Sequence, residues 1–167
     1  MHVGEALECL GGNGYVEESG MPRLYREAPL YGIWEGSGNV ICLDILRALA
    51  REPETVDAVL QELHAARGSE PRLDAWLAKT EEDLTICLKR GLNNGGSEAQ
   101  MQARRLAERL ALALQGLLMV QHSPPESAEA FIVSRLLGDH GQTFGTLAPG
   151  LNLSPILDWA TAGLNRA

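Results

Sequence analysis

The residues best suited to chemistry in this 167-residue chain lie in one glycine-rich stretch, residues 32–39. Its carboxylate, Glu35, stands between the apolar pair Ile33-Trp34 and the glycine Gly36. If the apolar side chains remove water from the carboxylate, its pKa rises toward the range that suits a general base. The same residues are also typical of a glycine break before a new helix capped by Ser37, with the carboxylate in solvent. Taken alone, the stretch favours this structural interpretation.

The glycines of this stretch, Gly36 and Gly38, bear on what could bind beside the carboxylate. They can adopt backbone angles that other residues avoid, so the chain can turn tightly into the next helix. The amides at the start of that helix could then close on an anion or a planar ring. The stretch therefore combines a candidate base with a candidate anion site.

Other catalytic arrangements find little support in the sequence. The four histidines have no carboxylate or cysteine at ligand spacing, so we predict no metal site. Ser37 is not part of a GxSxG elbow, which argues against a hydrolase. Residues 11–14 (GGNG) do not match GxGxxG and follow a helical pattern, which argues against a Rossmann dinucleotide site.

Composition predicts the fold class and the compartment. Leucine and alanine are abundant while aromatic residues make up 5% of the chain, which favours an all-α protein. The formal charge of −8 predicts no general attraction to nucleic acid or to an anionic membrane. The odd number of widely spaced cysteines (Cys9, Cys42 and Cys87) suits reduced thiols, and the longest apolar run, residues 110–120, is too short to span a bilayer. We therefore expect a cytoplasmic protein without a membrane partner.

Hydrophobic spacing and helix-end residues predict an antiparallel helical bundle. The expected helices cover residues 39–51, 53–67, 71–90, 97–122 and about 126–137, with a short last helix from Ser154. The helix over 39–51 is apolar around most of its circumference, so it should be largely buried. Gly91 should end the helix that starts at Pro71, and residues 93–96 (NNGG) should form a flexible connector.

Three segments among the first fifty residues carry a more specific pattern. They are residues 10–19 (LGGNGYVEES), 22–27 (PRLYRE) and 33–39 (IWEGSGN). These segments resemble the GG-x-G-[YF] loop, the Arg-[Asp/Glu] pair and the [YW]-E-G-[ST] motif of the acyl-CoA dehydrogenase family of flavoproteins, most closely its AidB-like (alkylation-response) branch. The resemblance is dense over residues 3–50 and weaker over residues 51–167.

The resemblance implies a domain organisation as well. Residues 1–51 would be the end of the family's C-terminal helical domain, which holds the flavin and base segment, and residues 52–167 a helical extension packed on it. The chain would then be truncated at its N-terminus, a fragment that lacks the family's N-terminal helical domain, its middle β-domain and part of the C-terminal domain. Whether such a fragment is a natural short protein or a gene remnant stays open.

Roles for single residues follow from the resemblance. Glu35 corresponds to the catalytic base that removes the proton next to the thioester carbonyl of an acyl-CoA, while FAD accepts a hydride. Ser37 and Asn39 lie where the family contacts the FAD, and Gly11 and Gly12 match the loop that meets the adenosine half of a partner subunit's flavin. Glu8 replaces the usual glutamine of that loop, so we expect no contact from it, and the pair Arg26-Glu27 should be structural.

Two functions remain open. The chain is either a fragment of an FAD-dependent acyl-CoA dehydrogenase, inactive and without bound FAD when alone, or a non-catalytic helical oligomerisation or interaction module. In both cases apolar faces of residues 1–50 predict a homo-oligomer. DNA binding, which the AidB-like branch suggests, is disfavoured because residues 51–167 hold eleven Lys and Arg against fifteen Asp and Glu. A local basic patch could still exist, formed by Lys89, Arg90, Arg104, Arg105 and Arg109.

Overall fold

The computed structural model describes residues 2–93 and 97–162 and confirms an all-α fold. Within these ranges the extended pairing is limited to one isolated bridge between His140 and Leu147. The α-helices are α1 (His2–Cys9), α2 (Gly12–Tyr15), α3 (Met21–Glu27), α4 (Gly38–Arg51), α5 (Pro53–Leu63), α6 (Pro71–Asn93), α7 (Ser97–His122), α8 (Pro125–Phe131) and α9 (Ser154–Ala162). Short 3₁₀ turns cover Glu17–Ser19, Ala28–Gly32 and His64–Ala66, and a π-helical turn covers Ile132–Leu136.

The predicted helix bounds are close to the observed ones, but three helix ends differ. The helices expected over 53–67 and about 126–137 end as α-helix at Leu63 and Phe131 and continue as a 3₁₀ and a π-helical turn, and the third difference is at the end of α6. This helix continues to Asn93, whereas Gly91 was expected to stop it. A glycine inside a helix costs only about 1 kcal/mol, which a helix of 23 residues tolerates near its end. Asn93 therefore belongs to α6, and the rest of the expected connector, residues 94–96, lies outside the described residues.

The core is built around the antiparallel pair α6 and α7. Asp83 pairs with Arg109, and the Cys87 thiol lies 3.9 Å from the carbonyl of Ala99, so the two helices run in opposite directions. Two groups of buried side chains surround the pair. The first comprises Leu63, Ala66, Leu73, Leu77, Ala113, Leu117, Ile132 and Leu136. The second comprises Leu46, Leu49, Leu84, Cys87, Ala99, Ala103 and Leu106.

Helix α4 joins the bundle from its second turn onward, where Cys42 and Leu43 already pack against the second group of core residues. Leu46 and Leu49 are buried in the second group of core residues, whereas Val40 and Ile41 are 50% and 45% exposed. The expectation that this helix is largely buried is therefore wrong for its first turn. The reason is that the described helices that make the main contacts with α4, namely α5, α6 and α7, leave Val40 and Ile41 exposed.

Residues 2–37 form a smaller layer with little core of its own. Within it, Gly14 and Pro22 are the buried residues, and α3 packs against α1 and α2. The loop after α8 contacts this layer. The backbone N–H of Phe144 donates to Oε2 of Glu5 at 2.8 Å, and the Phe144 ring lies 5.1 Å from the His2 ring.

An ion cluster centred on Arg72 ties the start of α6 to α8. Nε of Arg72 donates to Oε1 of Glu70 at 2.7 Å, and Nη1 donates to Oε1 of Glu129 at 2.8 Å. These hydrogen bonds from Arg72 lower the pKa of Glu70 and the pKa of Glu129 in the folded state. A carboxyl with a lowered folded pKa adds stability above its unfolded pKa of about 4.3, and that stability is lost as the pH falls through the folded pKa.

We expect Arg72→Gln to lower the free energy of unfolding by about 1 kcal/mol at neutral pH, because partly exposed, charge-assisted hydrogen bonds are lost. At a second pH, well below the unfolded pKa of about 4.3, the difference between the two proteins should be smaller, since the carboxyls of the cluster gain protons as the pH falls. Urea unfolding at the two pH values measures this. Arg23→Gln, which breaks an exposed pair with Glu27, is the control and should change stability little. If Arg72→Gln lowers the free energy of unfolding equally at both pH values, the carboxyls of the cluster do not account for its effect.

Candidate active site

Glu35 lies in a tight turn between the 3₁₀ segment Ala28–Gly32 and α4. The backbone N–H groups of Ile33 and Trp34 donate to the carbonyl of Leu30 at 2.9 and 3.1 Å, which closes the end of the 3₁₀ segment. Glu35 then takes a positive φ of 55° and Gly36 a φ of 108°. The chain is thereby turned through a left-handed region before it enters the helix.

The side chains around Glu35 do not cover it. Glu35 itself is exposed, and Ile33 and Trp34 are 66% and 55% exposed. Trp34 makes an edge contact with Tyr31, whose ring is also exposed. The expected removal of water from the carboxylate is therefore not provided by the described part of this chain. Its carboxylate is in solvent, as expected if the stretch is a glycine break before a new helix.

The backbone of Glu35 is nevertheless unusual. Among the described residues, Glu35 is the only non-glycine residue with a positive φ. An L-residue in the left-handed region costs about 1–2 kcal/mol, and such strain is concentrated at functional sites. The residue at this position is a glutamate, although glycine or asparagine would fit the backbone better.

Ser37 and Asn39 lie directly after this turn, at the start of α4. Ser37 occupies the N-cap position, and its backbone carbonyl accepts from the N–H of Ile41 at 3.1 Å. Its side chain makes no capping hydrogen bond, so the expectation that Ser37 caps the helix through its hydroxyl is wrong. The first amides of a helix have no partner within it. The structure thus brings Glu35, Ser37 and Asn39 together within one turn, with donors available at the helix start.

Gly11 and Gly12 lie elsewhere, at the junction of α1 and α2. Gly11 has φ 57° and ψ −141°, a conformation that favours glycine. Helix α2 packs against α1 and α3. The next glycine, Gly14, was not singled out from the sequence, yet it has the clearest structural role. A Cβ on Gly14 would lie 2.4 Å from the carbonyl oxygen of Leu7, so no larger residue fits.

The arginine of the expected Arg26-Glu27 pair has a different partner. Its Nη1 and Nη2 donate to the two carboxylate oxygens of Glu17 at 2.9 and 3.0 Å, while Glu27 accepts from Arg23. The hydrogen bond from Arg26 lowers the pKa of Glu17. Adjacent residues of a helix point to different sides, so Arg26 and Glu27 do not meet. Residues four apart lie on one face, which is why Glu27 pairs with Arg23.

Of the five basic residues suggested as a patch, the four whose side chains are described do not form one surface. Arg109 pairs with Asp83, and its guanidinium lies 4.3 Å from the centre of the Trp76 ring. Arg105 lines a cleft of about 250 Å³ between α6 and α7, and Arg104 lies on another side, beside Gly38. The side chain of Arg90 lies outside the described residues, and Lys89 is exposed. DNA binding therefore finds no support in the arrangement of these charges.

Residues 2–93 and 97–162 contain no group of three or more His, Cys, Asp or Glu side chains placed to hold a metal ion. Over the same ranges, every helix is too short or too polar to cross a membrane. The candidate site therefore remains the turn before α4.

Comparison with known proteins agrees with the family resemblance of the first fifty residues. Residues 2–50 match the model of the acyl-CoA dehydrogenase C-terminal domain. The putative acyl-CoA dehydrogenase AidB of Escherichia coli (strain K12) is 35% identical over 129 residues, which is 77% of this chain and 22% of that protein. Acyl-CoA dehydrogenase family member 11 of Caenorhabditis elegans is 30% identical over 135 residues, 75% of this chain and 22% of that protein.

The chain belongs to the acyl-CoA dehydrogenase family. The mitochondrial isovaleryl-CoA dehydrogenase of Arabidopsis thaliana is 44% identical over 48 residues, 29% of this chain and 12% of that enzyme. The chain thus spans about a fifth of the length of the AidB and family member 11 relatives. The match to AidB also extends well beyond the 49 residues of the domain model, so part of the region after residue 50 is shared with it.

The strain at Glu35 leads to a test within this chain. Because asparagine tolerates the left-handed region better than other non-glycine residues, Glu35→Asn should be more stable than Glu35→Gln by about 0.5–1 kcal/mol. Both variants remove the charge, so the comparison isolates the backbone contribution. Urea unfolding measures the difference. Equal stability of the two variants would show that the turn stores no strain in solution.

Proposed function

We propose that residues 2–50 supply the base and part of the flavin site of an FAD-dependent acyl-CoA dehydrogenase. The observation that carries the proposal is the match of this segment to the family's C-terminal domain. The resemblance of residues 34–37 (WEGS) to the family's motif around its base supports it. The placement of Glu35 in a strained turn directly before a helix start supports it. The substrate class is an acyl-CoA thioester.

The donors at the start of α4 fit the anionic part of FAD. The Ser37 hydroxyl makes no capping bond, and the first amides of the helix point out of its N-terminus. These groups donate hydrogen bonds, and the positive end of the helix favours an anion. FAD, when bound, accepts the hydride from the β carbon of the acyl chain. Ser37 and Asn39 would hold it from this side, and Gly11 and Gly12 would meet the adenosine half of the flavin of a second subunit.

Glu35 would remove the proton from the carbon next to the thioester carbonyl. A positioned carboxylate contributes about 10²–10⁴-fold as a general base, provided that its basicity is raised by exclusion of water. In the described chain Glu35 is exposed, so the cofactor, the substrate and further protein must cover it for the step to occur. This is the reason why we propose that the 167 residues alone are inactive and retain no FAD.

A chimera tests the catalytic assignment. Residues 2–50 replace the corresponding segment of the Arabidopsis isovaleryl-CoA dehydrogenase, which is 44% identical to this chain over 48 residues, and oxidation of isovaleryl-CoA is measured with a dye as electron acceptor. We expect the chimera to bind FAD and to be active. Glu35→Gln in the chimera should lower kcat by a factor of about 10²–10⁴ while visible flavin absorbance is retained, because only the base is removed.

Glu27→Gln in the same chimera is the matched control. It removes a carboxylate from the same segment and should leave kcat within a small factor of the unchanged chimera, because Glu27 pairs only with the exposed side chain of Arg23. A chimera that binds FAD and oxidises the substrate equally well with glutamine at position 35 would refute the role of Glu35.

A further inference from the structure

The cleft of about 250 Å³ between α6 and α7 is lined entirely by residues that follow residue 50. Part of its lining is apolar and fixed. Cys87 and Leu106 are 5% and 3% exposed and belong to the second group of core residues, so the packing of the bundle holds them in place. Ile86 adds an apolar side chain that is partly exposed. The cleft is therefore preformed, and it presents apolar surface that a ligand can cover.

Arg109 is the most buried cation of this cleft. Its side chain is 13% exposed, and its guanidinium carbon lies 4.3 Å from the centre of the Trp76 ring. Nε of Arg109 lies 3.2 Å from Oδ2 of Asp83, yet both atoms are buried and neither makes a hydrogen bond within the described chain. A guanidinium has five N–H donors, and a buried donor without an acceptor is costly. The described protein therefore leaves Arg109 in need of an acceptor.

Arg105 lies one helical turn before Arg109 and lines the same cleft. Two cations four residues apart on a helix repel each other. No hydrogen bond or ion pair joins Arg105 to another residue of the described chain. The third cation of the cleft, Lys79, is already held by Glu82 at 2.7 Å and by Asp83 at 3.3 Å. The positive charge that lacks a partner is therefore concentrated at the two arginines of α7.

These features together select an anion with an apolar body. Three cations line the cleft against the two carboxylates of Asp83 and Glu98, which gives a formal charge of +1. The planar guanidinium matches the geometry of a carboxylate. A cavity of about 150 Å³ accommodates benzene, so this cleft has room for about ten non-hydrogen atoms. A free phosphate would also suit the arginines, but it would leave Ile86 and Leu106 uncovered.

We propose that the cleft between α6 and α7 binds a small aliphatic monocarboxylate. Its carboxylate accepts hydrogen bonds from Arg105 and Arg109, and its chain covers Ile86 and Leu106. The inference does not rest on the proposed function, because every residue of the cleft lies outside the segment 2–50 and outside the chimera described above.

Sodium octanoate is the probe, because it has one carboxylate and a chain that fits this volume. Amide chemical shifts of the 167-residue chain are followed by NMR in an octanoate titration at constant ionic strength, below the concentration at which octanoate forms micelles. We expect saturable shifts on both walls of the cleft, over residues 83–87 and 105–109. Arg105→Gln should raise the Kd about tenfold or more, the loss expected for a charge-assisted hydrogen bond.

Arg104→Gln is the matched control. It removes the same charge from the adjacent residue, which lies beside Gly38 and not in the cleft, so it should keep the affinity of the unchanged chain. Amides far from the cleft should have the same shifts in Arg105→Gln as in the unchanged chain, since this side chain is exposed. A loss of binding is then distinguished from a loss of folding.

Two further ligands separate the charge from the chain. Acetate carries the carboxylate alone and 1-octanol the chain alone, and each should bind at least about tenfold more weakly than octanoate. The inference is overturned if octanoate gives no saturable shifts, or if the shifts lie in residues 2–50 instead of the cleft. It is also overturned if Arg104→Gln and Arg105→Gln weaken binding equally, or if acetate or octanol binds as tightly as octanoate.

Discussion

The packing of α4 against α7 is the contact on which the candidate site depends. Leu46 and Leu49 are buried with Ala99, Ala103 and Leu106, and burial of a leucine side chain contributes about 1.5–3 kcal/mol. This contact holds the end of α4 in the bundle and leaves its start, with the turn that contains Glu35, at the surface. The helix therefore links a well-packed core to a site that is open on one side.

The layer before α4 has few buried side chains, and its ion pairs are exposed. Arg26 binds both oxygens of Glu17, and Glu5 accepts from the backbone of Phe144, but each of these contacts is exposed to solvent. Exposed ion pairs contribute little stability, so this layer relies on α4 and on whatever covers its apolar side chains. Tyr31 and Trp34 lie on this uncovered surface next to the candidate base. In an acyl-CoA dehydrogenase site the same surface would face cofactor, substrate or further protein.

Local features of the sequence predicted most of the helices and the turn of the site. Apolar spacing and the residues Pro53, Pro71 and Ser97 located the starts of three helices, because these effects act within a few residues. The motif around Glu35 likewise placed Glu35, Ser37 and Asn39 at one helix start. The closely spaced glycines in residues 11–14 predicted a tight turn. Why Gly14 must be a glycine is clear only from the structure, where the Leu7 carbonyl lies against it.

Features that depend on the approach of distant segments could not be predicted. Arg26 pairs with Glu17 instead of Glu27 because the 3₁₀ turn Glu17–Ser19 packs against α3. Glu27 pairs with Arg23. The exposure of Glu35 follows from which neighbours are present to cover Ile33 and Trp34, not from those residues themselves. The meeting of Arg104 with Gly38 needs the crossing of α4 over α7, which sequence spacing does not determine.

Hydrogen exchange of individual amides tests most directly whether the candidate site is anchored on the bundle through α4. We predict that the amides of residues 44–50 exchange with the same free energy of opening as those of residues 103–113 of α7, because both belong to one core. The amides of α1 and α3 should open at lower free energy. Exchange of residues 44–50 together with α1 and α3, well before α7, would contradict the account, because α4 would then not be held by the bundle.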